Sequence, residues 1–219
     1  MKIAKIFMLI ISIITAYSFN LRSAKQSYDS YAFAIQWPNG YCKINNCEIP
    51  LDSLETNIMT IHGLWPNLKN GNLLKTCTQG VEIVEEDTEL FQNMRKYWPS
   101  LRGSATVFWE HEYNKHGYCM VQEKGWDGYE EYFEFVIELY LEVYKDLLKK
   151  AFGEERKLYT LTYEEMIKAI QKIIPNAVFK MNCRSGFIYE FYFFLEKNFT
   201  PSKNSNFVNN CESGKLIFK

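Results

Sequence analysis

Apolar residues recur at three- and four-residue steps between Asp127 and Phe152: Tyr129, Tyr132, Phe133, Val136, Leu139, Tyr140, Val143 and Leu147. That spacing predicts a long amphipathic helix whose stripe faces a core. Glu130, Glu131 and Glu134 lie near its start and Lys145, Lys149 and Lys150 near its end, which suits the helix macrodipole; Gly153 ends it. Shorter helices are expected over Thr88 to Tyr97, before Pro99, over Ala105 to His116, broken by Gly117, and over Thr162 to Ile174, before Pro175. The pattern alternates elsewhere. Tyr31 to Trp37 reads as a strand stopped by Pro38, and Ile58 to His62 as a second short one. Further strands are expected near Ala177–Asn182, Phe187–Lys197 and Lys215–Phe218. Strands at both ends with helices between them indicate an α+β fold. With no repeat and no linker rich in Pro, Gly or Ser, one domain over residues 19–219 is the economical reading of the 219-residue chain.

The first residues stand apart. Lys2 and Lys5 precede an apolar run from Ile6 to Ile14, and Ala16 and Ser18 occupy plausible −3 and −1 positions for cleavage. This order predicts a secretory signal peptide over residues 1–18; the run is too short to span a bilayer comfortably. Export changes the meaning of the six cysteines, Cys42, Cys47, Cys77, Cys119, Cys183 and Cys211. An even number in an exported chain implies three disulfides, although spacing alone does not choose the pairing. Cys42 and Cys47 are close enough to close a small loop. Asn198-Phe199-Thr200 is a glycosylation sequon.

Charge excludes one class of function. The formal net charge is −1, and loss of Lys2 and Lys5 makes it more negative. A general nucleic-acid coating protein carries a dominant basic surface. If the substrate is a polyanion, the positive charge must be local. Aromatic residues make up 16% of the chain, more than a core alone requires, and some could stack on bases.

All three histidines fall in two segments, Ile61-His62-Gly63-Leu64-Trp65-Pro66 and Phe108-Trp109-Glu110-His111-Glu112-Tyr113-Asn114-Lys115-His116-Gly117. On a regular helix, with His111 at zero, Lys115 lies near about 40°, Glu112 near about 100° and His116 near about 140°. A carboxylate, a cation and two imidazoles would therefore face one cleft. The string is not a zincin site, which needs His at i and i+4; here the i+4 position is Lys115, a cation that repels Zn²⁺. No metal or other cofactor is expected. Paired histidines without a metal suit phosphodiester cleavage by internal attack: one takes the proton of the attacking hydroxyl and the other protonates the leaving oxygen. A nearby Lys and carboxylate can stabilise the phosphorane. The internal nucleophile is the ribose 2′-OH, which restricts this chemistry to RNA.

IHGLWPN and FWEHEYNKHGYC resemble the two active-site segments of the ribonuclease T2 family, and Gln36-Trp37-Pro38 resembles the end of that family's N-terminal strand. The match spans roughly Tyr31 to Cys119. It implies a central antiparallel sheet with helices packed around it, and a secreted, vacuolar or lysosomal endoribonuclease that leaves 2′,3′-cyclic phosphate ends. It further implies that His62 is the general acid, that His116 is the base activating the 2′-OH, and that His111 binds phosphate or holds the substrate. Glu112 and Lys115 would stabilise the transition state, and Trp65 would stack in the base pocket. The implied disulfides are Cys77–Cys119 and Cys183–Cys211, leaving Cys42–Cys47 as the local loop. The implied partner is single-stranded RNA, met by a monomer with no membrane contact once the leader is removed. One departure is Tyr113, where the family usually has Trp. Lys69 and Lys75, after Trp65, are expected to be solvated.

Two other classes compete with this reading: a secreted RNA-binding or cytotoxic protein of the same fold, in which catalysis is secondary, and a metal-dependent phosphodiesterase. The full set His62, Glu112, Lys115 and His116 argues against an inactive binder. Persistence of activity in chelator separates the ribonuclease from the metalloenzyme.

Overall fold

The computed structural model describes residues 27–49, 54, 58–68, 72, 74, 77, 79–155, 157–203 and 209–218. The expected leader, Lys69 and Lys75 lie outside them. Six strands form one sheet: β1 (Ser30–Gln36), β2 (Thr60–Asn67), β3 (Leu158–Thr162), β4 (Val178–Arg184), β5 (Phe187–Glu196) and β6 (Ser213–Ile217). Their order is β2-β1-β5-β6-β3, with β4 also paired to β5. The expectation of an antiparallel sheet needs one correction. β5 and β6 run parallel, meeting at Phe187 and Lys215, so the sheet is mixed. The chain between them is long enough to return to the start of β5, as a parallel connection requires.

The helices are α1 (Pro38–Ile44), α2 (Glu89–Tyr97), α3 (Ala105–Glu112), α4 (Tyr118–Lys124), α5 (Tyr129–Leu139), α6 (Leu147–Phe152) and α7 (Tyr163–Gln171). Pro38 does not merely stop β1. It occupies the first turn of α1, where a missing N–H costs nothing and the fixed φ favours the helix. Thr162 caps α7 in a capping box with Glu165, which satisfies two orphan backbone donors. The apolar stripe of α5 is core as expected, with Tyr132, Phe133 and Val136 fully buried. Its helix passes through a π-turn at Tyr140–Tyr144 before α6. Tyr144 then packs edge-on against Phe33 of β1 and beside Phe193 of β5, joining the helical layer to the sheet.

This stripe also holds the strand that carries His62. Tyr132 Oη donates to the Leu64 carbonyl at 3.1 Å and Tyr140 Oη donates to the Met59 carbonyl. Two buried hydroxyls thus hold the chain on either side of His62, one within β2 and one just before it. Cys42–Cys47, Cys77–Cys119 and Cys183–Cys211 are all bonded. Asn198 is exposed in the turn after β5, where its carbonyl accepts from Thr200 Oγ1 at 2.7 Å. Among the described residues no helix is long and apolar enough to cross a membrane.

Candidate active site

β2 presents His62 through a bulge. Ala34 pairs with Gly63 and Ile35 with Ile61, so His62 is the extra residue between two paired neighbours. Bulges of this kind re-aim a side chain and often adjoin functional sites. Beyond the bulge, Leu64 points into the main core and Trp65 into a smaller cluster with Ala32, Ala34 and Phe194 on the opposite face. The indole of Trp98, donating to the His62 carbonyl at 2.9 Å, fixes the bulged backbone.

The second segment departs from a regular helix. α3 runs into a π-turn at Tyr113–Gly117 and continues directly as α4. Gly117 was expected to break the helix. It keeps right-handed helical dihedrals instead, and its bare Cα lets the helix press on Tyr132: a Cβ there would lie 2.8 Å from the ring. The stop comes at Gly125, which adopts a left-handed φ of 74°. The π-turn widens the spacing of residues 113–117, and the four groups expected in one sector separate into two levels. Glu112 and His116 are buried against β2, 2% and 3% exposed. His111 and Lys115 stay exposed at the rim, 3.5 Å apart.

Trp65 links the two segments. Its indole lies 5.0 Å from both His62 and His116, edge-on to the first and tilted to the second. Its Nε1–H donates to Glu112 Oε2 at 2.7 Å. Trp65 is 5% exposed and has Tyr192 as a further ring neighbour. Gly63 makes this arrangement possible, because a Cβ at that position would lie 2.3 Å from both Glu112 Oε2 and Trp65 Nε1.

The two imidazoles, His62 half-buried and His116 buried, are pushed in opposite directions. Burial works against the cation of His62, but its hydrogen bond to Glu190 and the charges of Glu112 and Glu190 outweigh burial and the repulsion of Lys115, so its pKa is raised. For His116, burial and the charges of Lys115, His111 and His62 all act together, and its pKa is pushed down to about 3. Burial, Lys115 and His62 also lower that of His111. Glu112 sits above the ordinary carboxylate range because burial outweighs the help of His62, Trp65 and Lys115; its Oε1 is 3.6 Å from His62 Nε2.

A cleft of about 200 Å³ opens beside His62, walled by Tyr41, Phe108 and Tyr189 and edged by Gln36, Ser100 and Arg102. Tyr41, Ser100, Arg102 and Tyr189 escaped the sequence reading, as did Glu190, which bonds His62 Nδ1 from β5; Gln36 reads there only as part of a strand. Only the aromatic enrichment hinted at the walls, and Phe108 alone lies inside a quoted segment. Cys77–Cys119 ties the far end of the π-turn to the chain after β2. The Asn114 side chain adds a two-way clamp on Val81, at 2.8 and 2.7 Å. Among the described residues no group of three or more His, Cys, Asp or Glu is placed to hold a metal ion.

Comparison with known proteins gives a consistent picture. The model of the ribonuclease T2 family matches residues 28–211. Ribonuclease 1 of Arabidopsis thaliana is 36% identical over 106 residues, covering 46% of this chain and 46% of its own. Ribonuclease T2 of Aspergillus oryzae is 31% identical, covering 62% and 55%. The matches thus span about half the length of these curated relatives. Other relatives include an extracellular and an intracellular tomato enzyme. The crystal structure of RNase NT in complex with 5′-AMP superposes with a TM-score of 0.66 at 28% identity, covering 88% of this chain and 98% of that one. An RNase-related protein from Calystegia sepium superposes at 0.71 with 21% identity, covering 89% and 99%.

Proposed function

The chain belongs to the ribonuclease T2 family, and from that premise we propose that it is an endoribonuclease which cleaves single-stranded RNA by attack of the ribose 2′-OH on the adjacent phosphate. The observation that carries this reading is the placement of His62 and His116 each 5.0 Å from the Trp65 ring, with one imidazole favoured as the cation and the other as the neutral base. Acid–base catalysis needs both forms at one pH.

His116 takes the 2′-OH proton as the oxygen attacks phosphorus. His62 gives its proton to the departing 5′-oxygen, leaving a 2′,3′-cyclic phosphate. Lys115 and His111, exposed at the rim, hold the phosphate, and the charge of Lys115 opposes that building on the phosphoryl oxygens. Glu112 orients His62 Nε2 and is itself oriented by Trp65. Phe108 and Tyr189 offer the cleft an aromatic surface for a base, while Trp65, buried among its neighbours, serves the catalytic groups. RNase NT, solved in complex with 5′-AMP, supports a nucleotide-sized ligand. We further propose that the protein works as a monomeric domain in an oxidising, exported compartment, a reading supported by its three disulfides and exposed sequon.

Incubation with a mixed-sequence RNA and the matching DNA, each with chelator, tests the activity. RNA fragments with cyclic phosphate ends, seen by mass spectrometry, are expected from the first alone. Cleavage of the DNA at a comparable rate would sink the mechanism.

A further inference from the structure

We infer that Glu190 is the positioning residue of the acid histidine: its carboxylate, anchored by Asn182, holds the Nδ1 side of His62 so that Nε2 is the nitrogen left toward Glu112. This rests on the proposed acid role of His62. Glu190 comes from β5, 128 residues away in sequence, and its Oε1 bonds His62 Nδ1. It is 4% exposed, and Asn182, also 4% exposed, donates to its Oε2 at 3.1 Å. The sheet register places the three partners in one row. Gln36 of β1 stands opposite Glu190, and Glu190 stands opposite Asn182 of β4. Gln36 lies one step from Ile35, where the register with β2 slips to release His62. A second slip follows Asn182. Two bulges thus bracket a buried carboxylate aimed at one ring nitrogen.

The chemistry follows from the two nitrogens. A carboxylate on Nδ1 holds a proton there, so neutral His62 presents a bare Nε2 and cationic His62 carries its transferable proton on Nε2. In the cleavage step the P–O5′ electron pair moves onto the leaving oxygen, the Nε2–H bond breaks and the O5′–H bond forms. Nδ1 keeps its proton and Glu190 accepts none, as in other carboxylate–imidazole pairs. The charges facing His62 come from several elements: Glu190 from β5, Glu112 from α3, and Lys115 from the π-turn. His111 and His116 feel its charge in return, and Arg102, Tyr41 and Tyr189 line the same cleft. Among the described residues Glu190 alone makes a direct bond to Nδ1.

Imidazole nitrogen shifts of the full wild-type chain test the tautomer without substrate. Neutral His62 is expected to carry its proton on Nδ1; a proton on Nε2 would overturn the inference. Glu190→Gln keeps the volume and removes the charge. The His62 titration midpoint, and with it the alkaline limb of kcat/KM, should move down by about one pH unit or more, with KM little changed. A profile that superposes on wild type after scaling overturns the role. Asn182→Ala retains the charge and serves if Glu190→Gln does not fold: kcat should fall with KM unchanged, and an unchanged kcat counts against the anchor. Failure of wild type to cleave RNA would refute the proposed function, whereas the tautomer measurement reads the pair regardless.

Discussion

Trp65 Nε1 donates its hydrogen to Glu112 Oε2 across 2.7 Å, joining residues 47 positions apart. Both are buried, so neither can exchange this partner for water. Trp65→Phe keeps an aromatic ring, though a smaller one, and removes the donor. A buried carboxyl left without that bond is expected to cost about 1–3 kcal/mol of stability and to rise further in pKa. Denaturant unfolding and turnover on RNA should both register the change, and a Phe variant equal to wild type in both would contradict it.

The neighbouring glycine gives a steric test of the same contact. Gly63→Ala inserts a methyl 2.3 Å from both atoms of the bond. Glu112 or Trp65 must move, and turnover should drop by about 10² or more, since small misplacements at a reacting centre have that effect. Full activity of the alanine variant would show that the contact is dispensable.

The opposed shifts of His62 and His116 set the pH dependence. The productive state has His62 protonated and His116 neutral. On the acid side Glu112, held above the ordinary carboxylate range, takes a proton first and starts the fall, and the loss is completed as pH approaches about 3, where His116 takes one. It should fall on the alkaline side above about 6.5, the ordinary histidine value, because His62 is raised. A narrow bell with both limbs near the ordinary value would refute the opposed environments.

Stability carries the same signature. His116 binds fewer protons folded than unfolded between about 3 and about 6.5, so its contribution is present above that window and lost as pH falls through it. His62 has the opposite sign: its contribution is present below the ordinary value and lost as pH rises through the raised one. His116→Asn should therefore gain stability relative to wild type as the solution is acidified. A constant difference across that window would count against a buried neutral imidazole.

Mutation should separate proton transfer from phosphate holding. His62→Phe and His116→Phe are each expected to lower kcat by about 10²–10⁴-fold. His111→Ala, from the rim, should raise KM more than it lowers kcat, and Lys115→Ala should lower kcat less than either histidine change. Near-full activity in His62→Phe would defeat the assignment.

The clustering of every histidine beside Trp and Gly makes most of the candidate site legible in the sequence. That signal is local, and it found His62, Trp65, His111, Glu112, Lys115 and His116. Glu190 left no such trace, because its role arises from a sheet register that brings β5 beside β2 through β1. Helix periodicity located α5 but could not foresee the π-turns, which insert residues without altering composition. Pro38 and Gly117 were read as breakers from their intrinsic preferences. Pro38 does end its strand and in addition opens a helix, whereas context reversed the second reading: Gly117 stays helical and supplies a contact only a missing Cβ permits. β3 escaped because it is short and buries little of its surface.

The bulge at His62 makes this segment sensitive to length as well as to composition. Along a regular strand, parity assigns each residue to a face. Here Ile61 and Leu64, an odd number of positions apart, share the core face because His62 is extra between them. Deleting His62 would join Ile61 to Gly63 in unbroken register with Ile35 and Ala34, so Leu64 would still face the core and Trp65 the opposite side. A one-residue insertion after Leu64, by contrast, would turn Trp65 toward the core. The expected result is a His62 deletion that still folds cooperatively but has lost turnover, beside an insertion that unfolds at lower denaturant; a deletion less stable than the insertion would refute the counting rule.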